Sequence, residues 1–210
     1  MTKTIKKHFI FDLDDTLIDG RLFCGEAMAR SITHFEPHVD KQAIIDHHEQ
    51  IRGRTVVDLY ESAIKKFGLK TPIQDLLAMD SKIMTTEFGK IKIFEGVIDI
   101  FNLLKSRGKR LHICTNRKSE SLIPILKNNG INKYFDNIIS CIDVGSKKPD
   151  PKCILDLIEK TGDPKESFIY FGDSEIDYLF AKNAEIEYII FDQYLNGKNL
   201  FKKLIDLFLE

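Results

Sequence analysis

The sequence predicts an α/β protein in which a parallel sheet flanked by helices is interrupted, after its first strand, by an all-helical insertion. Three observations carry this prediction. His8-Phe9-Ile10-Phe11 is an apolar, aromatic and β-branched run of strand length that stops at three acids, Asp12, Asp14 and Asp15. Residues 21–89 then carry apolar positions at helical spacing, with no clear strand among them. From Phe94 onward, helical and strand patterns alternate, as they do where strands run parallel.

Taken in order, the elements follow from local physics. A buried strand would not tolerate an unpaired carboxylate, so Asp12 belongs where the first strand emerges, at its carboxyl end. Open α/β sheets hold their ligands at that edge. Asp12 and Asp14 are two apart and project to the same side of an extended chain. Two carboxylates aimed at one point either hold a cation or divide chemistry between them. The alternative is a polar turn in which Asp15 and Thr16 cap whatever helix follows.

Residues 23–35 then present Phe23, Ala27, Met28, Ile32 and Phe35 on one helical face, and Pro37 breaks the pattern before a segment running to Ile51. A helix over 54–67 rests on Val56, Val57, Tyr60, Ile64 and Phe67 and is stopped by Gly68. Thr71-Pro72 restarts the chain as a helix through Leu76, Leu77, Met79, Ile83 and Met84. His34, His38, His47 and His48 gather in this stretch, but adjacent helical positions face different ways, so no shared metal site is expected of them.

Beyond it, residues 95–107 read as a helix closed by Gly108, and Arg110 to Thr115 as a strand. Ser119 is expected to cap a helix ending at Asn128-Asn129-Gly130. A strand around Asn137-Ile139, a polar loop to Pro151 and a helix ending at Thr161-Gly162 come next. Ser167 to Phe171 is a short buried strand, 175–183 a helix, Glu187 to Phe191 a strand and Leu200 to Phe208 a closing helix. The expected organisation is a catalytic core of residues 1–18 and 93–210, with 19–92 as a helical cap over the acids.

Composition narrows the function. The 210 residues are 43% hydrophobic and 30% charged, which is ordinary for a globular core. The net charge of −1 and the scattered Lys-Lys pairs leave no basic footprint for nucleic acid. No apolar run approaches the ~18 residues of a membrane span, and no secretory pattern precedes Ile5, so no membrane partner and a cytoplasmic location are expected. Cys24, Cys114, Cys141 and Cys153 form no CxxC and read as reduced thiols.

The strand ends carry the chemistry. Asp12 and Asp14, then Thr115-Asn116, then Asp173, all fall at carboxyl ends that a parallel sheet brings to one edge. The loop Gly145 to Pro151 holds Lys148, with prolines at 149 and 151 stiffening the backbone around it. Phosphoryl transfer asks for such a set: an in-line nucleophile, a divalent cation and donors around the equatorial oxygens. A carboxylate can be the nucleophile. Mg²⁺ suits the hard oxygen ligands on offer. Asp173 and Asp177 are four apart across a helix start and share a face.

At this point the chain resembles the haloacid dehalogenase (HAD) superfamily over essentially its whole length. Phe11-Asp12-Leu13-Asp14-Asp15-Thr16-Leu17 resembles the first motif of that family, and Ile113-Cys114-Thr115-Asn116 the second. Lys148-Pro149-Asp150-Pro151 resembles the third, and Gly172-Asp173-Ser174-Glu175-Ile176-Asp177 the fourth. The resemblance implies a Rossmann-like core and assigns roles by position. Asp12 is the expected nucleophile and a Mg²⁺ ligand; Asp14 is the general acid/base, with its backbone carbonyl on the metal. Thr115 and Lys148 hold the phosphoryl group, while Asp173 and Asp177 complete the metal site. Within the superfamily the chain is most similar to phosphoglycolate phosphatase-like members, through 115–149 and through Gly53-Arg54-Thr55. It departs from them at Ala184-Glu185, where Ala-Gly is usual.

The resulting expectation is a Mg²⁺-dependent phosphatase for a small phosphorylated metabolite, with Arg52, Arg54 and Asn116 as further substrate contacts. Asp14 argues against a dehalogenase, which has no alcohol leaving group to protonate. A phosphomutase of the β-phosphoglucomutase type uses the same core residues and stays open. A signalling receiver domain has its phosphorylated Asp later in the chain and no helical insertion, and a non-catalytic scaffold would have gaps among these positions. Monomer and homodimer are not distinguished by the sequence.

Overall fold

The structure, a computed structural model, describes residues 5–190. The strand His8–Phe11 (β1) is central in a five-stranded, all-parallel sheet. On one side lie Arg110–Thr115 (β4) and Asn137–Ser140 (β5), on the other Phe168–Gly172 (β6) and Glu187–Ile190 (β7), in the order β5-β4-β1-β6-β7. Phe11 pairs with Ile113 and with Phe171, so these strands end level with one another. Their carboxyl ends therefore form a common edge.

Period-two alternation builds a core on each face of the sheet. Phe9, Phe11, Leu111 and Ile113 pack with the helices Val97–Ser106 (α5) and Ser119–Asn128 (α6). Ile10, Cys114 and Tyr170 pack on the other face with Lys152–Thr161 (α7) and Glu175–Asn183 (α8). Phe11 meets Phe101 edge-on and stacks on Phe171, with ring centroids 5.7 and 5.1 Å away. Each fully buried aromatic of this kind contributes about 1.5–3 kcal/mol of transfer free energy.

Between β1 and α5 the chain forms four helices: Arg21–Phe35 (α1), Lys41–Gln50 (α2), Val56–Phe67 (α3) and Ile73–Glu87 (α4). They enclose a core of their own, including Met28, Ile32, Ile44, Tyr60 and Leu76. Gly68 ends α3 in the left-handed conformation, as its position suggests. The chain enters and leaves this stretch through a two-stranded antiparallel ribbon of Ile18–Asp19 (β2) and Lys92–Ile93 (β3). Two-residue strands leave no periodic trace in a sequence.

One cap differs from expectation. Ser119 is the first residue of α6 rather than its N-cap, a position that falls to Lys118 without a side-chain bond. The Ser119 N–H donates instead to Asp143 Oδ2 at 2.9 Å, from the loop after β5. A carboxylate at a helix N-terminus satisfies an orphan donor and favours the dipole, whichever part of the chain supplies it. Of the two C-terminal elements expected, the helix Leu200–Phe208 and the last residue of the Glu187–Phe191 strand lie outside the described residues.

Glu185, the departure from the family pattern, adopts φ 58° just after α8. A non-glycine residue in the left-handed region is strained by about 1 kcal/mol. The Lys165–Glu185 ion pair at 3.0 Å is exposed and offsets little of that strain. Glu185→Gly is therefore expected to raise the melting temperature by roughly 1–4 °C. A thermal melt that fell instead would show that the ion pair outweighs the backbone strain.

Candidate active site

Leu13 is fully buried and anchors the chain just beyond β1. The backbone N–H groups of Leu17 and Ile18 both donate to its carbonyl, at 2.9 and 3.1 Å. Asp15 takes φ 60° to close this turn, a conformation Asp tolerates better than most residues. With Leu13 turned into the core, Asp12 and Asp14 both line a cavity of about 360 Å³ at the carboxyl edge of the sheet. Asp12 is held in place by its own N–H, which donates to the Phe171 carbonyl at 2.9 Å.

Lys148 links the acids. Its ammonium donates to Asp12 Oδ1 at 2.6 Å and to Asp177 Oδ1 at 2.7 Å, and its side chain is only 3% exposed. Burial works against the charged ammonium, but Asp12 and Asp177 more than compensate and hold its pKa well above the usual lysine value. The loop carrying Lys148 is fixed by Asn116, whose Oδ1 accepts from the Lys148 backbone N–H at 2.8 Å. Asn116 thus supports Lys148, and its Nδ2 donates across to the Gly53 carbonyl at 3.4 Å.

Asp177 forms a capping box with Ser174, the N-cap of α8. It also accepts from the Tyr170 hydroxyl at 2.8 Å. Burial disfavours its charge, yet Lys148 and these hydrogen bonds keep its carboxyl below the usual range. Gly172 lets it approach so closely: a Cβ there would stand 2.4 Å from Asp177 Cβ.

Asp12, Asp173 and Asp177 offer carboxylate oxygens within 4.8 Å of one another. Burial, with Asp177, Asp12 and Asp15 nearby, pushes Asp173 up to about 9, against the pull of Arg52. Burial likewise raises Asp12 to about 7, in spite of Lys148. Hard oxygen donors packed together with insufficient compensating charge fit a divalent cation, which would keep these acids ionised. Asp177 is the least available of the three, because both of its oxygens already accept hydrogen bonds.

Thr115 ends β4, is 1% exposed, and its Oγ1 accepts from the Arg117 N–H at 3.2 Å. From the helical insertion, Arg52 reaches across the cavity to pair with Asp173, and it lies 3.9 Å from Asp15. Arg54 lines the same cavity from an exposed position. Lys147 pairs with Asp58 of α3 at 2.8 Å, a further link between the insertion and the sheet edge. Two groups escaped the sequence reading. Arg117 grips Asp14, with Nε 2.9 Å from Oδ2 and Nη2 2.5 Å from Oδ1. Asp80 of α4 also lines the cavity and accepts from the Tyr60 hydroxyl at 3.0 Å; burial raises it to about 6. Arg117 lies two residues after Thr115, but its partner Asp14 is 103 positions away and no local pattern links them. Asp80 had no signal either, because one acid on a helix reads as solvated surface.

The fold and sequence are matched among known proteins. The family model for haloacid dehalogenase-like hydrolases covers residues 9–191, and the chain belongs to that family. Phosphoglycolate phosphatase of Agrobacterium fabrum is 28% identical over 194 residues, 84% of this chain and 76% of that protein. Pyrophosphatase PpaX of Halalkalibacterium halodurans is 27% identical and covers 92% of this chain and 87% of its own. These phosphatase names agree with the expectation of a phosphoric monoester hydrolase. Among solved structures, a haloacid dehalogenase-like protein of Agrobacterium tumefaciens superposes with a TM-score of 0.74 at 22% identity, over 96% of this chain and 90% of that one. CbbY from Rhodobacter sphaeroides, in complex with phosphate, gives 0.73 at 18% identity, over 89% and 86%. At those identities the likeness establishes the fold. No helix among the described residues is long and apolar enough to cross a membrane.

Proposed function

We propose that the protein is a Mg²⁺-dependent phosphatase that hydrolyses a small phosphorylated metabolite of the phosphoglycolate type through an aspartyl-phosphate. The observation that carries this reading is Asp12. It is buried at the mouth of β1, bound to Lys148 at 2.6 Å, grouped with Asp173, and open to the cavity. Asp12 Oδ attacks phosphorus as the ester bond breaks, and Asp14 delivers a proton to the departing alkoxide. In the second step Asp14 takes a proton from water, which attacks the aspartyl-phosphate and releases phosphate. Thr115 Oγ1 and the Lys148 ammonium bind the phosphoryl oxygens, with helix α6 beginning just beyond.

Asp12 and Asp173 would hold the cation, with Asp177 behind them and the Asp14 carbonyl completing the set. When bound, the metal supplies positive charge against the phosphoryl oxygens and keeps Asp12 ionised. Residues 19–92 serve as the cap. Arg52 and Arg54 are its contacts to substrate, and Arg52, paired with Asp173, would give up that contact to a bound cation.

The test is phosphate release from a panel containing phosphoglycolate, sugar phosphates, nucleotides and an aryl phosphate, with Mg²⁺ and with chelator. Pyrophosphate belongs in it because PpaX is among the relatives. Metal-dependent release is expected from at least the aryl and the smallest esters. A folded protein that released nothing from any member would overturn the phosphatase and favour the phosphomutase.

A further inference from the structure

We infer that Arg117 is the specificity-determining residue of this site: one edge of its guanidinium holds Asp14, and the other receives a carboxylate on the leaving part of the substrate. The inference rests on the phosphatase reading and narrows it to compact esters whose carboxylate lies one or two carbons from the ester oxygen.

The geometry supplies the argument. An arginine offers five N–H donors in a rigid plane, arranged as two adjacent forks. Here the Nε/Nη2 fork is filled by both oxygens of Asp14, at 2.9 and 2.5 Å. The Nη1 end is nearly idle. Its contact with Ser121 Oγ is 3.5 Å long, and Nη2 has only a weak further acceptor in Cys24 Sγ at 3.6 Å. Arg117 lines the cavity, and a guanidinium end held this lightly suits a planar anion, which would displace the two weak contacts and accept two parallel, charge-assisted bonds. The side chain is 11% exposed and lines the cavity.

Position explains the reach. The Arg117 backbone N–H donates to Thr115 Oγ1 at 3.2 Å, so the residue's main chain lies beside the expected phosphoryl site. Asp14 must sit beside the ester oxygen to protonate it, and Arg117 sits beside Asp14. An anion on the lightly held fork would then lie on the leaving-group side of Asp14. Arg117 would orient the acid and the leaving group together. A simple phosphate ester lacking that anion gains only the first of these.

The experiment compares 2-phosphoglycolate with ethyl phosphate, which is similar in size and lacks the carboxylate. Kinetic constants are measured with Mg²⁺ for the wild type, Arg117→Met and Arg117→Lys, beside binding of both esters by calorimetry in the Asp12→Asn background. Wild type is expected to prefer phosphoglycolate by roughly 10- to 10²-fold in kcat/KM. Arg117→Met should bring that ratio near unity, and Arg117→Lys, which keeps charge but not the fork, should fall between. Both variants should lower kcat for both esters through Asp14, and calorimetry should show weaker binding of phosphoglycolate alone. A ratio near unity in the wild type, or one unmoved by Arg117→Met, overturns the inference and leaves a phosphatase. Absence of turnover with the binding preference intact overturns the phosphatase and leaves the anion site. Should Arg117→Met fail to fold, the Arg117→Lys ratio and its binding preference decide.

Discussion

Asp12→Asn is expected to lower Mg²⁺-dependent phosphate release by roughly 10⁴-fold or more, while the protein stays folded. The amide matches the carboxylate in shape but is neutral and a poor nucleophile. Its effect on stability should be small or favourable, because it removes one charge from a buried cluster that holds Asp173 and Asp177 as well. Lys148 keeps Asp177 as its partner at 2.7 Å. Rates and thermal melts on the same samples test both halves. A variant that retained a tenth of the wild-type rate would exclude Asp12 as nucleophile, whatever its stability.

Lys148→Met should be the most damaging single substitution for stability at this edge of the sheet. It removes the cation shared by Asp12 and Asp177, whose side chains are 9% and 2% exposed. Breaking a buried pair by deleting one partner costs about 3–5 kcal/mol, because the remaining charge is uncompensated. For a chain of this size that lowers the melting temperature by roughly 6–20 °C. Activity should fall at least ~10²-fold with loss of the ammonium proposed to bind the phosphoryl oxygens.

Adding Asp177→Asn should restore part of the stability and none of the activity, so the two substitutions will not be additive. The pH response has a definite sign. Without Lys148 the folded acids titrate above their unfolded values, so protons bind preferentially to the folded state. The deficit of the variant should therefore shrink as pH falls toward the range of ordinary carboxylates. Equal deficits at neutral and acid pH would show that Lys148 acts by packing rather than by charge.

Much of this was legible in the order of residues. A strand that stops at Asp12, a strand that stops at Thr115 and one that stops just before Asp173 leave little choice about where those side chains emerge. The helix at 175–183 and the strand at 110–115 have the expected bounds, because period and flanking residues agree there. Gly68 and Gly162 end their helices in the left-handed form for the same local reason.

What the sequence alone determined is the fold class and the acids, Thr115 and Lys148 that the sheet edge collects. Both rest on short-range facts: a two-residue alternation, a helical repeat, a carboxylate that cannot be buried in a strand. Only the tertiary structure decided how those groups are paired. Arg117 with Asp14, Arg52 with Asp173, Lys148 between Asp12 and Asp177, and Asp143 at the start of α6 join residues 24 to 136 positions apart. Charge pairing over such separations leaves no periodic mark. It follows from which loops the packed core brings together, and from the cost of burying an acid that finds no partner.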